Sequence, residues 1–204
     1  TYCRAINEST DMALLELTEM PPIYYRPYYA GWNATTSSSG TYACIQHPGG
    51  ATKRFSLAEK VQLDSFKDDG YNFASNSFWH VPEWSQGSTA EGSSGSPLLD
   101  GDNRILGALT GGRSYCYFPY NDYFYSLYYS WEANEESAHQ LKHWLAPNQT
   151  DRLCDGMDPY AASPAFRLSH VIENGKYDLI EKSQSDETYL FGLNGSTKEY
   201  AEQY

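Results

Sequence analysis

Hydrophobic and polar residues alternate through most of this chain in short runs, broken by Gly, Pro, Asn and Ser. That period of two predicts strands with one buried and one wet face, hence a mostly β fold. The apolar segment Asp11 to Pro22 (DMALLELTEMPP) predicts a short strand ended by acidic residues and a double proline. PYYAGWN and TYACIQH predict strands around a flexible ATTSSSG loop, and ATKRFSLAEKVQL predicts one long strand or two. YNFASNSFWHVPEW alternates aromatic and polar positions; a Gly/Ser-rich stretch and YNDYFYSLYYSW follow. The period then changes. NEESAHQLKHWLAP predicts one helix, with Asn134 as N-cap, Glu135 and Glu136 in its first turn, and Ala138, Leu141, Trp144 and Leu145 on one face. Lys142 and His143 lie near its end and Pro147 stops it. Past Asp158, YAASPAF predicts a linker, and DETYLFGLNGSTKEYAEQY the start of a further β module.

Composition sharpens this picture. Leu and Ile are sparse in the 204 residues, but 19 Tyr and 5 Trp supply much of the buried area, and each needs a place for its polar tip. The net charge of −12 argues against nucleic acid and suits cationic substrates, although a solvated acidic surface accounts for many of these charges. Cys3, Cys44, Cys116 and Cys154 form no CxxC pair and no Cys/His cluster at zinc spacing. Such spread cysteines predict disulfides and an oxidising compartment, with three internal connectivities open, and no metal or cofactor is expected. No apolar run is long enough to span a membrane. No signal peptide opens the chain, and Thr1 begins inside a strand region, so an upstream segment is expected.

The chemistry concentrates in EGSSGSPLLDGDNRILGALTGG, Glu91 to Gly112. A reactive serine needs exposure on a tight turn, backbone N–H groups aimed at the developing oxyanion, and a base. In GSSGSP, Ser94 has glycine two before and one after, and the N–H groups of Gly92 and Ser94 would form the oxyanion hole. The α/β-hydrolase elbow is excluded, because it requires glycine at 96, where Ser96 stands. A plain Gly/Ser hairpin is the competing reading of the same residues.

GSSGSPL followed by RILGALTGG resembles the nucleophile region of chymotrypsin-clan serine peptidases. DMALLEL, YYAGWN, CIQHPGGATKRFS, NDYFYSLYYSW and LKHWLAP…DGMD complete a set found in this order in lysyl endopeptidases, a secreted bacterial branch of that clan. The resemblance covers roughly residues 11–158. It implies a chymotrypsin-like double β-barrel, here the second barrel plus the end of the first, closed by one C-terminal helix. Residues 1–20 would end the first barrel, 21–131 form the crossing and second barrel, 132–147 the helix, and 148–204 a tail or linker. It implies Asp11 as the triad aspartate and Ser94 as the nucleophile, at a spacing close to that of the Ser-His-Asp template. Ser93 replaces the trypsin aspartate that pairs with a freed amino terminus, which puts that zymogen switch in doubt.

The trypsin pocket acid would fall at Ser88, which cannot pair with a cation. The resemblance instead implies Asp122 as the acid selecting Lys or Arg, with Thr110, Gly111 and Gly112 as pocket wall. Relatives usually carry histidine where Thr110 stands, so a ring-stacking that tunes activity is in doubt. The resemblance also implies that Cys116 bonds to a cysteine near the mature amino terminus; Cys44 with Cys154 is one internal pair left open, and Cys3 is unplaced. No histidine precedes Asp11, so the base is expected upstream; the resemblance implies that IQHPGG, with His47, is a non-catalytic segment, and His80, His139, His143 and His170 are expected at surface or structural positions. The resulting expectation is a trypsin-like, secreted serine endopeptidase acting after basic residues, Lys ahead of Arg, represented by a chain inactive without its histidine. The alternatives are an inactive barrel that binds peptide or glycan, and a structural adhesin.

Overall fold

The computed structural model describes residues 1–133, 136–147 and 150–159, save the side chains of Ile23 and Ser137, and the backbone of three further strands. The described residues divide into two units, Thr1–Met20 with Ala30–Gly156, and Pro21–Tyr29 with Met157–Tyr204.

The first unit is mostly β. Its main sheet runs β5(Arg54–Ala58), β4(Tyr42–Gln46), β8(Pro97–Leu99), β9(Ile105–Gly112), β10(Tyr120–Ser126), β7(Phe78–Glu83) and β6(Gln62–Asp64). All these neighbours pair antiparallel. The segment just after β7 bonds back to β5, with Leu57 N to Gln86 O at 2.9 Å and Ser85 N to Leu57 O at 2.8 Å, so the sheet closes into a barrel. Closure removes the edges that an open sheet would leave unpaired. Alternation fills the barrel: on β10, Asp122, Phe124 and Ser126 are buried, and their neighbours only partly so. Phe124, Val81, Leu98 and Leu106 are fully enclosed. Full burial contributes about 1.5–3 kcal/mol for each such side chain. Short β3(Trp32–Asn33) joins β9 and β11(Leu153–Cys154) at the margin.

A hairpin of β1(Tyr2–Asn7) and β2(Met12–Glu16) packs one face, through Ala5 and Met12, against a second core around Leu127, Trp131 and Leu141. Its other face is bare: Ile6 is 47% and Leu15 59% exposed. A single turn, α1(Leu127–Ser130), capped by the Ser126 hydroxyl, follows β10 directly. In the second unit, β12(Phe166–Ile172), β13(Lys176–Lys182) and β14(Thr188–Gly192) form an antiparallel three-stranded sheet.

Two expectations change. The helical region is broken into a 3-10 turn at Ser137–His139 and one α-turn, α2(Lys142–Leu145). The Leu141 and Lys142 amides donate to the Ser130 and Trp131 carbonyls, which diverts them from a helical ladder. The expected N-cap Asn134 and Glu135 lie outside the described residues. The disulfides are also absent among the described residues, where all four cysteines are free thiols. Cys44 points into the barrel at 0% exposure, and burial, with the Asp122 charge second, pushes its thiol up to about 12. Cys154 sits on β11, its Sγ against the Asp155 carbonyl.

Candidate active site

The Gly/Ser stretch forms the connection into β8. Gly92 and Gly95 adopt φ of +89° and +79°. At Gly92 this conformation favours glycine, and a Cβ would also sit tightly, 3.3 Å from the Gly49 amide nitrogen. Ser94 is exposed on the turn, while Ser93 beside it is fully buried. The amides of Ser93, Gly95 and Ser96 are engaged, by Ala90 O at 3.0 Å, Leu109 O at 2.8 Å and Ser93 O at 3.1 Å. The amides of Gly92 and Ser94 make no such bond among the described residues. The two N–H groups expected in the oxyanion hole are therefore left out of the fold's own hydrogen bonding. The Gly95–Leu109 bond also ties the serine turn to β9 one residue before Thr110.

Beyond Leu109, β9 pairs only with β10. Its other edge, from Thr110 to Gly112, is unpaired among the described residues, and the Thr110 hydroxyl is buried without a partner. A cleft of about 700 Å³ opens beside it, lined by Phe66, Asp68, Gly111, Gly112, Arg113 and Tyr123 among others. Its aromatic wall is stacked: Phe66 on Tyr123 at 4.7 Å and Tyr123 on His80 at 4.4 Å. A ring stack thus exists beside Gly111 although Thr110 contributes no ring.

Asp122 lies across from Gly112 in the β9–β10 register and is 1% exposed. A Cβ on Gly112 would fall 2.3 Å from its Oδ1, so only glycine leaves that oxygen its place. Oδ2 accepts two short hydrogen bonds, from Trp84 Nε1 at 2.6 Å and Thr89 Oγ1 at 2.5 Å. Oδ1 receives only a long contact from the Ser114 amide, 3.4 Å. Burial pushes the Asp122 carboxyl above the usual range, and the Thr89, Trp84 and Ser114 hydrogen bonds oppose that shift.

Asp11 ends the 3-10 turn Glu8–Thr10 in left-handed conformation, φ +54°, with its side chain exposed. It lies near enough to β10 to act on Tyr125, whose hydroxyl is pushed up to about 12 by burial first and the Asp11 charge second. Among the described residues no hydrogen bond joins it to the serine turn. The imidazole Nδ1 of His47 is 3.0 Å from the Ala51 carbonyl. His80 is buried between Asn121 and Asp64, and His139 and His143 occupy the helical region. The side chain of His170 lies outside the described residues. The structure thus gathers the serine turn, the Thr110–Gly112 edge and Asp122 around one end of the barrel, with Asp11 on the hairpin.

Three partners were not visible in the sequence: Gln46 beneath Ser93, and Trp84 and Thr89 on Asp122. The one available signal was that a buried Trp or Thr must find a partner for its polar atom.

A closed antiparallel barrel with a glycine-flanked serine at one end and a buried acid beside an open strand edge has the architecture of a chymotrypsin-like peptidase half. Residues 1–126 match the family model of the lysyl endopeptidase C-terminal domain, and the chain belongs to that family. The lysyl endopeptidase of Pseudomonas aeruginosa is 36% identical over 122 residues, 56% of this chain; the chain spans only 25% of that protein's length. Among solved structures, an inactive Ser-to-Ala mutant of Rv3671c from M. tuberculosis aligns with TM-score 0.43 and 17% identity, over 74% of this chain and 67% of that one. A second inactive form, of the Rv3671c protease, aligns with TM-score 0.41 and 19% identity, over 60% of this chain and 58% of that one. Likeness this loose adds nothing to the fold already described.

Proposed function

We propose that these residues form the nucleophile-bearing part of a secreted serine endopeptidase that cleaves peptide bonds after Lys. Ser94 Oγ attacks the scissile carbonyl, and its proton passes to a histidine contributed from outside these 204 residues, which Asp11 orients. The carbonyl oxygen becomes an oxyanion held by the Gly92 and Ser94 amides. The histidine then protonates the leaving amine, and water releases the acyl group by the reverse proton path. The Thr110–Gly112 edge takes the substrate backbone as an added strand. Asp122 pairs with the substrate cation through Oδ1.

The observation that carries this reading is the pair of unengaged amides on either side of a buried, fixed Ser93. Both residues are exposed, so the two N–H groups are open to an incoming carbonyl oxygen on either side of Ser93. The bare face of the β1–β2 hairpin supports its assignment to another barrel. One end of Asp122 is saturated by donors and the other faces Gly112. That arrangement favours a compact ammonium over the two-pronged guanidinium.

The test is labelling of the full-length protein with a fluorophosphonate. Modification at Ser94, lost in Ser94→Ala, is expected. An unlabelled, folded protein would instead indicate an inactive barrel that binds peptide or glycan. No helix among the described residues is long and apolar enough to cross a membrane.

A further inference from the structure

Ser93 lies immediately before the proposed nucleophile, and its hydrogen-bond partners among the described residues are all neutral. Its hydroxyl donates to Gln46 Oε1 at 2.5 Å. Gln46 closes β4 and is 1% exposed. Its Nε2 donates both to the Ser88 carbonyl and to Ser56 Oγ, each at 2.7 Å. Ser56 is itself fully buried on β5. One amide side chain therefore grips the 88–95 segment at two points, Ser88 ahead of the oxyanion turn and Ser93 inside it. The remaining ties are the Thr89 hydroxyl on Asp122 Oδ2 and two backbone bonds, Gly49 N to Glu91 O at 2.7 Å and Gly95 N to Leu109 O. Both Nε2 protons have acceptors and Oε1 has a donor, so Gln46 has one orientation that satisfies the network.

We infer that Gln46 is a positioning residue for the oxyanion hole, a neutral internal latch on the serine turn. The inference rests on the peptidase reading above and adds to it the device that holds the Gly92 and Ser94 amides on target. The latch is built from the barrel's own strands, so the turn does not wait for a cleaved terminus to supply an ammonium at position 93. Gln46 touches neither substrate nor reacting atoms; it acts through Ser93 and Ser88.

The test compares Gln46→Met, Ser93→Ala and the double variant in the full-length protein. Each is assayed for kcat and KM on a Lys amide and for competitive inhibition by n-butylammonium, which reaches the Asp122 end alone. A misplacement of about 1 Å costs on the order of 100-fold, so kcat should fall about 10- to 100-fold in each single variant. The double variant should be no worse than the poorer single, because both break one link. KM and the n-butylammonium inhibition constant should stay within about twofold. A folded single variant with unchanged kcat overturns the inference. So does a parallel loss of kcat, KM and n-butylammonium binding, the mark of a merely structural residue, or multiplying losses in the double variant. Ser93→Ala removes a single oxygen and keeps the test available should Gln46→Met fail to fold. If wild type itself resists fluorophosphonate, the peptidase reading falls; if wild type is labelled and the variants match it, only the latch falls.

Discussion

Replacing Asp122 with Asn separates the charge of the pocket from its shape. The side-chain oxygen of Asn can still accept from Trp84 and Thr89, which now donate to Asp122 Oδ2 at 2.6 and 2.5 Å. What disappears is the carboxylate that a substrate ammonium would meet. Removing one partner of a buried ion pair costs about 3–5 kcal/mol, roughly two to four decades in kcat/KM for a Lys substrate. A norleucine substrate of the same length, with no charge, should change far less. The assay is the Lys-to-norleucine ratio of kcat/KM in the full-length protein. Stability should move the other way. Burial raises the Asp122 carboxyl above its ordinary value, so the folded state binds its proton more tightly than the unfolded chain does. This contribution is fully present below the unfolded value and is lost as pH rises through the raised folded value. Asp122→Asn should therefore gain stability relative to wild type as pH rises across that window, measured by denaturation at a series of pH values. An unchanged Lys-to-norleucine ratio, or a stability difference that shrinks with rising pH, would refute the reasoning.

Two other substitutions or probes test separate parts of the structure. Thr89→Val frees one acceptor position on Asp122 Oδ2, so the Arg-to-Lys ratio of kcat/KM should rise about tenfold, the worth of one further charge-assisted hydrogen bond. An unchanged ratio would remove Thr89 from specificity. Exposed Cys3 and Cys116 should react with a thiol reagent in the native protein, while buried Cys44 should react only on unfolding; prompt labelling of Cys44 would contradict its place in the barrel core.

The strands were legible because burial follows the period of two: on β4, Tyr42, Cys44 and Gln46 face inward, and the same alternation marks β10. ATKRFSLAEKVQL resolved into two strands, β5 and β6. The glycines at 92 and 95 marked the serine turn, since their positive φ is what such a turn demands. The polar partners beneath the site were not legible. Gln46 meets Ser93 47 residues away, and Trp84 and Thr89 meet Asp122 38 and 33 residues away. Barrel closure sets those distances, and no local pattern encodes them. The C-terminal helix is shorter than its apolar spacing predicts, for a related reason. Its apolar spacing is real, but Leu141 is drawn onto the Ser130 carbonyl, and Trp144 remains 39% exposed with its indole N–H on the Ala138 carbonyl. The internal Cys44–Cys154 pair does not form because cysteine spacing carries no information on direction, and Cys44 faces the barrel interior.

The most direct test of the central claim is the site of covalent modification. The full-length protein is treated with a fluorophosphonate, digested, and the modified residue located by mass spectrometry. The account predicts a single adduct on Ser94, abolished in Ser94→Ala and slowed when Gln46 is replaced. A folded protein that carries no adduct, or carries it on another serine, contradicts it.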